Sequence, residues 1–172
     1  MRKMLVLVPL LFVVSLAAQD YPKGEVFGGY QFTHLGGTDG QNFNGWNVSA
    51  TGNLNKTFGV TGDFSGSYKT VSGVSAHIYT YTGGPVVSLN HDGKLNPFVH
   101  ALFGGARLSA SAGGLGSASR NGFTMMLGGG ADAKLNDNFA IRVFQADWVY
   151  YRFSGFNESK NVRISTGIVF RF

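Results

Sequence analysis

Between Glu25 and Phe172 apolar side chains return at every second position, in segments of about ten residues separated by clusters of Gly, Asn, Asp and Ser. Successive side chains of an extended chain point to opposite faces, so a period of two predicts strands with one greasy and one hydrophilic side. Trp46 to Asn55 is the clearest case: Trp46, Val48, Ala50, Gly52 and Leu54 alternate with Asn47, Ser49, Thr51 and Asn53. Phe58 to Tyr68 repeats the pattern, with Phe58, Val60, Phe64 and Tyr68 opposite Thr61, Asp63, Ser65 and Ser67. Glu25 to Thr33, His77 to Leu89, Phe123 to Leu135 and Asn161 to Phe172 follow the same rule. Pro97 to Leu108 is apolar on both sides; its phase stays open, with Phe98 and His100 assigned to the polar face. In Phe139 to Phe153 the phase slips, because Ile141 and Val143 place odd positions outward whereas Gln145 and Asp147 place them inward. A β-bulge between Arg142 and Gln145 reconciles the two halves. Eight strands are therefore predicted.

The connections alternate in length. Tight links fall near Asn55-Lys56, His91 to Lys94 and Asn136 to Asn138, and longer ones follow the first, third, fifth and seventh strands. Short turns on one rim and long loops on the other are the arrangement of an antiparallel up-and-down barrel that crosses an outer membrane, both chain ends lying on the short-turn side. A soluble eight-stranded cup of the lipocalin or avidin kind is the competing all-β architecture, and there the apolar face fills the interior. Here the polar faces carry Glu25, Asp63, Asp132, Lys134, Arg142, Asp147, Arg163 and Arg171. That is too much charge for a ligand cup, yet it is balanced enough for an ion-paired lumen. Trp46, Tyr68, Tyr79, Trp148, Tyr150 and Tyr151 lie near segment ends, where interfacial aromatic girdles are expected.

Composition agrees. Charged residues make up only 13% of the chain and there are 26 glycines, about twice the usual share. A surface facing lipid needs little charge. Met1 to Lys3 supplies a positive start, Met4 to Leu16 a nearly continuous apolar stretch and Ser15-Leu16-Ala17 small residues at the cleavage-determining positions. Residues 1–17 therefore read as a secretory signal peptide, 18–24 as a short N-terminal periplasmic segment and 25–172 as the barrel. Removing Arg2 and Lys3 lowers the formal charge of +5 to about +3, and the remaining basic residues are scattered, so nucleic acid is not an expected partner. The chain has no cysteine, which excludes disulfides, thiolate metal sites and a thiol nucleophile.

The last segment, Asn161-Val-Arg-Ile-Ser-Thr-Gly-Ile-Val-Phe-Arg-Phe172, ends the sequence on an aromatic. Together with Glu25-Val-Phe-Gly-Gly-Tyr30, Gly128-Gly-Gly-Ala-Asp132 and Arg142-Val-Phe-Gln-Ala-Asp147, in that order along the chain, it resembles the outer-membrane β-barrel family typified by the OmpA N-terminal domain and OmpX. The resemblance covers Glu25 to Phe172 and leaves no room for the peptidoglycan-binding domain of full OmpA proteins. It implies a monomeric, integral outer-membrane protein without a cofactor, in contact with outer-membrane lipids and lipopolysaccharide. It further implies that Ile164, Ile168, Phe170 and Phe172 form a C-terminal signal read by periplasmic chaperones and the outer-membrane assembly machinery. The expected role is non-enzymatic, in envelope integrity or surface interaction.

Two alternatives stay open. Some barrels of this size modify lipid A with a Ser and a His near the outer rim, and Ser75, His77 and Glu158 could supply such a set, although their spacing departs from the His-before-Ser order of those enzymes. The lumen charges could instead line a small diffusion channel. The four histidines, His34, His77, His91 and His100, are too far apart in sequence for a recognised metal motif, and Ser109 to Ser119 reads as a flexible outer loop.

Overall fold

The computed structural model describes residues 21–37, 40–71, 74–90, 93–112 and 116–172, so the expected signal peptide and the 91–92 part of one tight link lie outside the described residues. Eight strands follow one another: β1 Gly24–Leu35, β2 Gln41–Asn53, β3 Phe58–Val71, β4 Val74–Ser88, β5 Leu95–Ala112, β6 Gly116–Lys134, β7 Phe139–Phe153 and β8 Phe156–Arg171. Each pairs with its neighbours in order, all antiparallel, and β8 returns to β1 to close the barrel. Closure removes the exposed strand edges that an open sheet would present.

The alternation decides what faces where. Val26, Val48, Val60, Phe64, Tyr81, Phe103, Leu127 and Ile168 are exposed on the outside, whereas Gln31, Asn47, Asp63, Ser65, Thr80 and Arg163 are buried inside. Such an inversion of the usual globular order makes sense only if the outer surface meets hydrocarbon rather than water. On β5, Phe98, His100, Leu102 and Ala106 all point inward, which resolves the phase of that strand. The β7–β8 ladder shifts register between Arg142 and Gln145, the position where the phase conflict places a bulge. A further shift lies between Val149 and Tyr151, and β6 carries one against β7 between Ala131 and Asp132.

One rim, the turn end, holds the N-terminal start of β1, the end of β8 and three short connections. Two of these use the same device. Asn55 Oδ1 accepts from the backbone N–H groups of Thr57 and Phe58, and Asn136 Oδ1 accepts from those of Asn138 and Phe139. A side-chain oxygen that satisfies two orphan amides at once is what a tight Asx turn requires. Reciprocal backbone bonds between Gly24 and Phe172, at 2.9 and 3.0 Å, zip the β1–β8 seam. A Cβ on Gly24 would lie 2.5 Å from the Phe172 ring, so glycine there lets the terminal aromatic lie across the seam.

The opposite rim, the loop end, differs from expectation. Strands run further than the apolar alternation suggested, and Ser109 to Ala112 pairs with Gly116 to Ser119 as a rising hairpin instead of a flexible loop. Gly, Ala and Ser carry no periodic apolar signal, yet their backbones pair as well as any others. Ser154-Gly155 alone turns β7 into β8, with Gly155 at φ +98°, a conformation that side chains rarely tolerate.

Candidate functional site

Among the described residues the interior concentrates the buried ionisable side chains, and its two halves are built differently. In the turn half the inward charges form one continuous chain of contacts. Arg163 on β8 forks between two strands: Nη1 donates to Asp63 Oδ1 at 2.8 Å and Nε to Asp147 Oδ2 at 2.7 Å. Asp63 also accepts from Asn47 Nδ2 at 2.9 Å. Asp147 accepts from Gln145 Nε2 at 2.8 Å and faces His100 Nε2 at 2.7 Å. Gln145 Oε1 in turn accepts from Arg142 Nη1 at 2.7 Å, and Arg142 grips Asp132 through Nε and Nη2 at 2.8 and 3.1 Å. The Arg142 guanidinium lies 4.4 Å from the ring centroids of both Phe27 and Phe98. Nearest the mouth, Arg171 sits 3.3 Å from Glu25 Oε1 and 3.7 Å from Asp132 Oδ2, within ion-pairing reach but without hydrogen-bond alignment.

These partners are a physical necessity. Isolated ions cannot be afforded in a narrow, largely dry lumen, and Arg163 is only 1% exposed. Glu25, Asp63, Asp132 and Asp147 face Arg142, Arg163 and Arg171, so each buried carboxyl has a guanidinium within ion-pairing reach. Beside it lies a cavity of about 20 Å³, room for about one water molecule, between Glu25, Thr61, Asp63, Asp132 and Arg142.

The loop half holds most of the buried apolar side chains, beside the buried, hydrogen-bonded Gln31, Thr33, Ser67 and Asn161. Phe43, Ile78, Leu102, Ala106, Met126, Val149, Tyr151 and Phe153 form a buried cluster across the lumen, with Leu35, Ala76 and Leu108 packed against it. Leu102 and Met126 are fully buried.

Of the eight charges assigned to the lumen, seven meet and one does not. Lys134 follows Asp132 with the right parity, but it lies past the mouth, its side chain 34% exposed, and its Nζ reaches Asp137 Oδ1 in the turn at 2.8 Å. A long stem at a strand end takes its charge to water. The Lys134 ammonium holds the exposed Asp137 carboxyl below the usual carboxylate range. Tyr151 is the other correction: it is buried in the lumen instead of standing in a girdle, because the β7 bulge turns odd positions inward. Of the remaining aromatics, Trp46, Tyr68 and Tyr79 form one row, with Trp46 Nε1 donating to Tyr68 Oη and Tyr68 Oη to Tyr79 Oη at 3.0 and 3.3 Å, and Trp148 stacks with Tyr150 on β7.

The hydrolytic set is not assembled. Ser75 and His77 lie on β4, where Ser75 Oγ contacts Thr70 Oγ1 and His77 stands edge-on to the Tyr68 ring. Glu158 lies on β8, separated from β4 by three strands in either direction around the barrel. Among the described residues no group of three or more His, Asp or Glu side chains is placed to hold a metal ion. His100, Gln145 and Phe27 belong to the lumen network but were not singled out by sequence. The assignment of His100 to the polar face with Phe98, and of Gln145 to the inward side with Asp147, pointed toward two of them.

The profile of the outer membrane protein beta-barrel domain family matches residues 4–172. The chain belongs to that family. This outer-membrane barrel is thus an integral protein of the outer membrane, and the outward apolar band is its lipid-facing surface. Solved structures repeat the fold at low identity. The attachment invasion locus protein Ail of Yersinia pestis matches at TM-score 0.65 and 21% identity, covering 88% of this chain and 99% of that one. Neisserial surface protein A matches at 0.71 and 13%, covering 87% and 97%. OprG from Pseudomonas aeruginosa matches at 0.55 and 11%, covering 88% and 96%. No curated protein sequence gives a significant match.

Proposed function

We propose that this barrel is a non-conducting, non-enzymatic outer-membrane protein that serves envelope integrity or surface interaction. The carrying observation is the double seal of its lumen: a chain of ionic contacts from Glu25 to Asp63, and above it a packed layer centred on Leu102 and Met126. An ion entering from the turn end would have to break charge-assisted hydrogen bonds and then pass the packed layer around Leu102 and Met126. The separation of Ser75 and His77 from Glu158 speaks against the lipid A hydrolase alternative. Planar-bilayer recording of the purified, folded protein tests the reading. No stepwise conductance is expected, and steady single-channel openings would overturn it.

The terminal residues Ile164, Ile168, Phe170 and Phe172 are proposed to guide assembly through the outward face they present. All four are exposed, and Phe172 ties its backbone, not its ring, to Gly24. Phe172→Ala keeps both seam hydrogen bonds while removing the aromatic. A several-fold loss of heat-modifiable barrel in outer-membrane fractions would thus report recognition, and normal assembly would remove this part of the proposal.

A further inference from the structure

The rim at the loop end has a step in it. β7 stops at Phe153, in register with Gly122 of β6, and Ser154-Gly155 turns straight into β8. β6 starts six residues before that level, at Gly116, and residues 116–121 pair with β5 on one side only. Barrel closure removes strand edges within the wall, but this stretch stands above it. Among the described residues no backbone group bonds to its other side, which leaves an open edge about 20 Å long. Two other stretches of the rim lack a strand partner and are better covered. Residues 69–71 of β3 form a shorter edge beside Gln41 of β2, which accepts from Lys69 Nζ at 3.1 Å. Residues 156–160 of β8 have Gly36 against them, so close that a Cβ there would collide with Lys160 O.

The open edge has a different chemistry on each face. Thr124 is buried in the lumen, so parity puts Gly122, Arg120 and Ala118 on the inner side and Asn121 and Ser119 on the outer side. On the inner side Ala118 stands opposite Ala110, and Arg120 opposite Leu108, which packs on the apolar cluster. On the outer side Arg107 crosses from β5 to donate to Ser119 Oγ at 3.5 Å, so its guanidinium stands about one strand spacing from anything added to the edge. A groove of about 650 Å³ lies at the foot of the edge where β7 ends, between Asn121, Arg152, Phe153 and Asn157. Arg120 donates to Ser154 O at 3.4 Å, and among the described residues Arg107, Arg120 and Arg152 form no ion pair.

An open edge completes its hydrogen bonds by taking up an extended segment, and the three arginines select one that carries carboxylates. A second copy does not fit. In the same membrane its β6 would run parallel to this one and bring the same three positive charges. We propose that residues 116–121 of β6 bind an extended acidic segment of a partner protein as an added strand. Its apolar side chains lie over Ala118 and Phe153, and its carboxylates face Arg107 and Arg152. The inference rests on the surface-interaction part of the proposed function and gives that partner its chemistry.

The test uses the folded full-length barrel in detergent micelles, its folding checked by heat-dependent gel mobility. The probe is a fluorescein-labelled peptide of alternating Val and Glu, about eight residues long, with binding read by fluorescence anisotropy. Two comparison peptides carry Lys in place of Glu, or Pro at the two central Val positions. The wild-type protein is expected to bind the Val/Glu peptide about tenfold or more tighter than either. Replacing residues 110–118 by Asn-Gly joins Ser109 to Ser119 through a hairpin turn, removes most of the edge and is expected to abolish binding. Arg107→Gln/Arg152→Gln is expected to weaken binding several-fold, and Lys160→Gln on the covered β8 edge to leave it unchanged. Three results would overturn the proposal: no binding of the Val/Glu peptide by the wild type, undiminished binding by the shortened hairpin, or an equal loss in Lys160→Gln. Equal binding of the Pro peptide would make the rim a general polyanion surface and overturn strand addition. Channel openings in the bilayer recording would overturn the sealed-lumen reading and leave this site standing, whereas a folded, closed barrel that ignores the peptide overturns this proposal alone.

Discussion

The two halves of the lumen are lined by the same eight strands and are held together by different physics. On β7 the change takes place within a few residues: Arg142, Gln145 and Asp147 enter the ionic chain, and Val149, Tyr151 and Phe153 enter the apolar cluster. In the turn half the charges from Asp63 to Asp132 are joined by aligned hydrogen bonds and Arg171 by ionic contact alone, so geometry is specified largely atom by atom, and the charges stabilise the fold only as a complete set. In the loop half the clustered apolar side chains share a volume, and any apolar set of similar size and shape would fill their part of it. The ionic half is thus intolerant and specific, and the apolar half is tolerant and sealing.

The largest expected effect comes from breaking the ionic half at its centre. Arg163→Ala leaves Asp63 and Asp147 buried without their shared cation and is expected to cost about 3–5 kcal/mol of unfolding free energy, measured by urea titration in lipid vesicles with tryptophan fluorescence. Arg163→Met combined with Asp63→Asn and Asp147→Asn is expected to recover most of that loss. If the triple variant were as unstable as Arg163→Ala, charge would not be what holds this half. Leu102→Ala in the apolar half is expected to cost about 3 kcal/mol through the cavity it leaves, whereas Leu102→Met stays within about 1.5 kcal/mol. Equal damage from both Leu102 variants would mean that the loop half is as exacting as the turn half.

Coupling between the halves should be smaller still. Met126→Ala and Arg171→Gln lie toward opposite ends of the lumen, and their unfolding free energies are expected to add within about 0.5 kcal/mol. A larger non-additivity would join the two regions into one cooperative core. The smallest effect belongs to Lys134→Ala, which leaves both lumen halves untouched and should not measurably change stability. Its signature is a titration. Asp137, held low by Lys134, favours the folded state above the unfolded carboxylate pKa, and that contribution is lost as pH falls through the depressed folded value. Carboxyl NMR should show the Asp137 midpoint rising toward the ordinary range in Lys134→Ala.

Strand number, closure into a membrane barrel and most of the inward charges could be read from the chain, because side-chain alternation is local and needs only the next few residues. Even the bulge between Arg142 and Gln145 was visible, since a charge cannot face lipid and the phase had to change. The loop-end extensions were not, because Ser109 to Ser119 pairs through backbone groups that every sequence carries. Lys134 was misplaced because parity does not reveal where the lumen stops.

The two-part lumen itself was a matter for tertiary structure. On a strand, an apolar residue is equally at home against lipid or in a dry interior, so Leu102, Met126, Val149 and Tyr151 carry no local mark of the side they occupy. Charges differ, since Asp63, Asp147 and Arg163 can only go inside, yet which carboxylate shares which guanidinium depends on the stagger of strands far apart in sequence. The amino-acid pattern determined that the barrel would have a polar interior. Closure of β8 onto β1 decided where that interior ends and an apolar seal begins, because only then do side chains from all eight strands compete for one narrow volume.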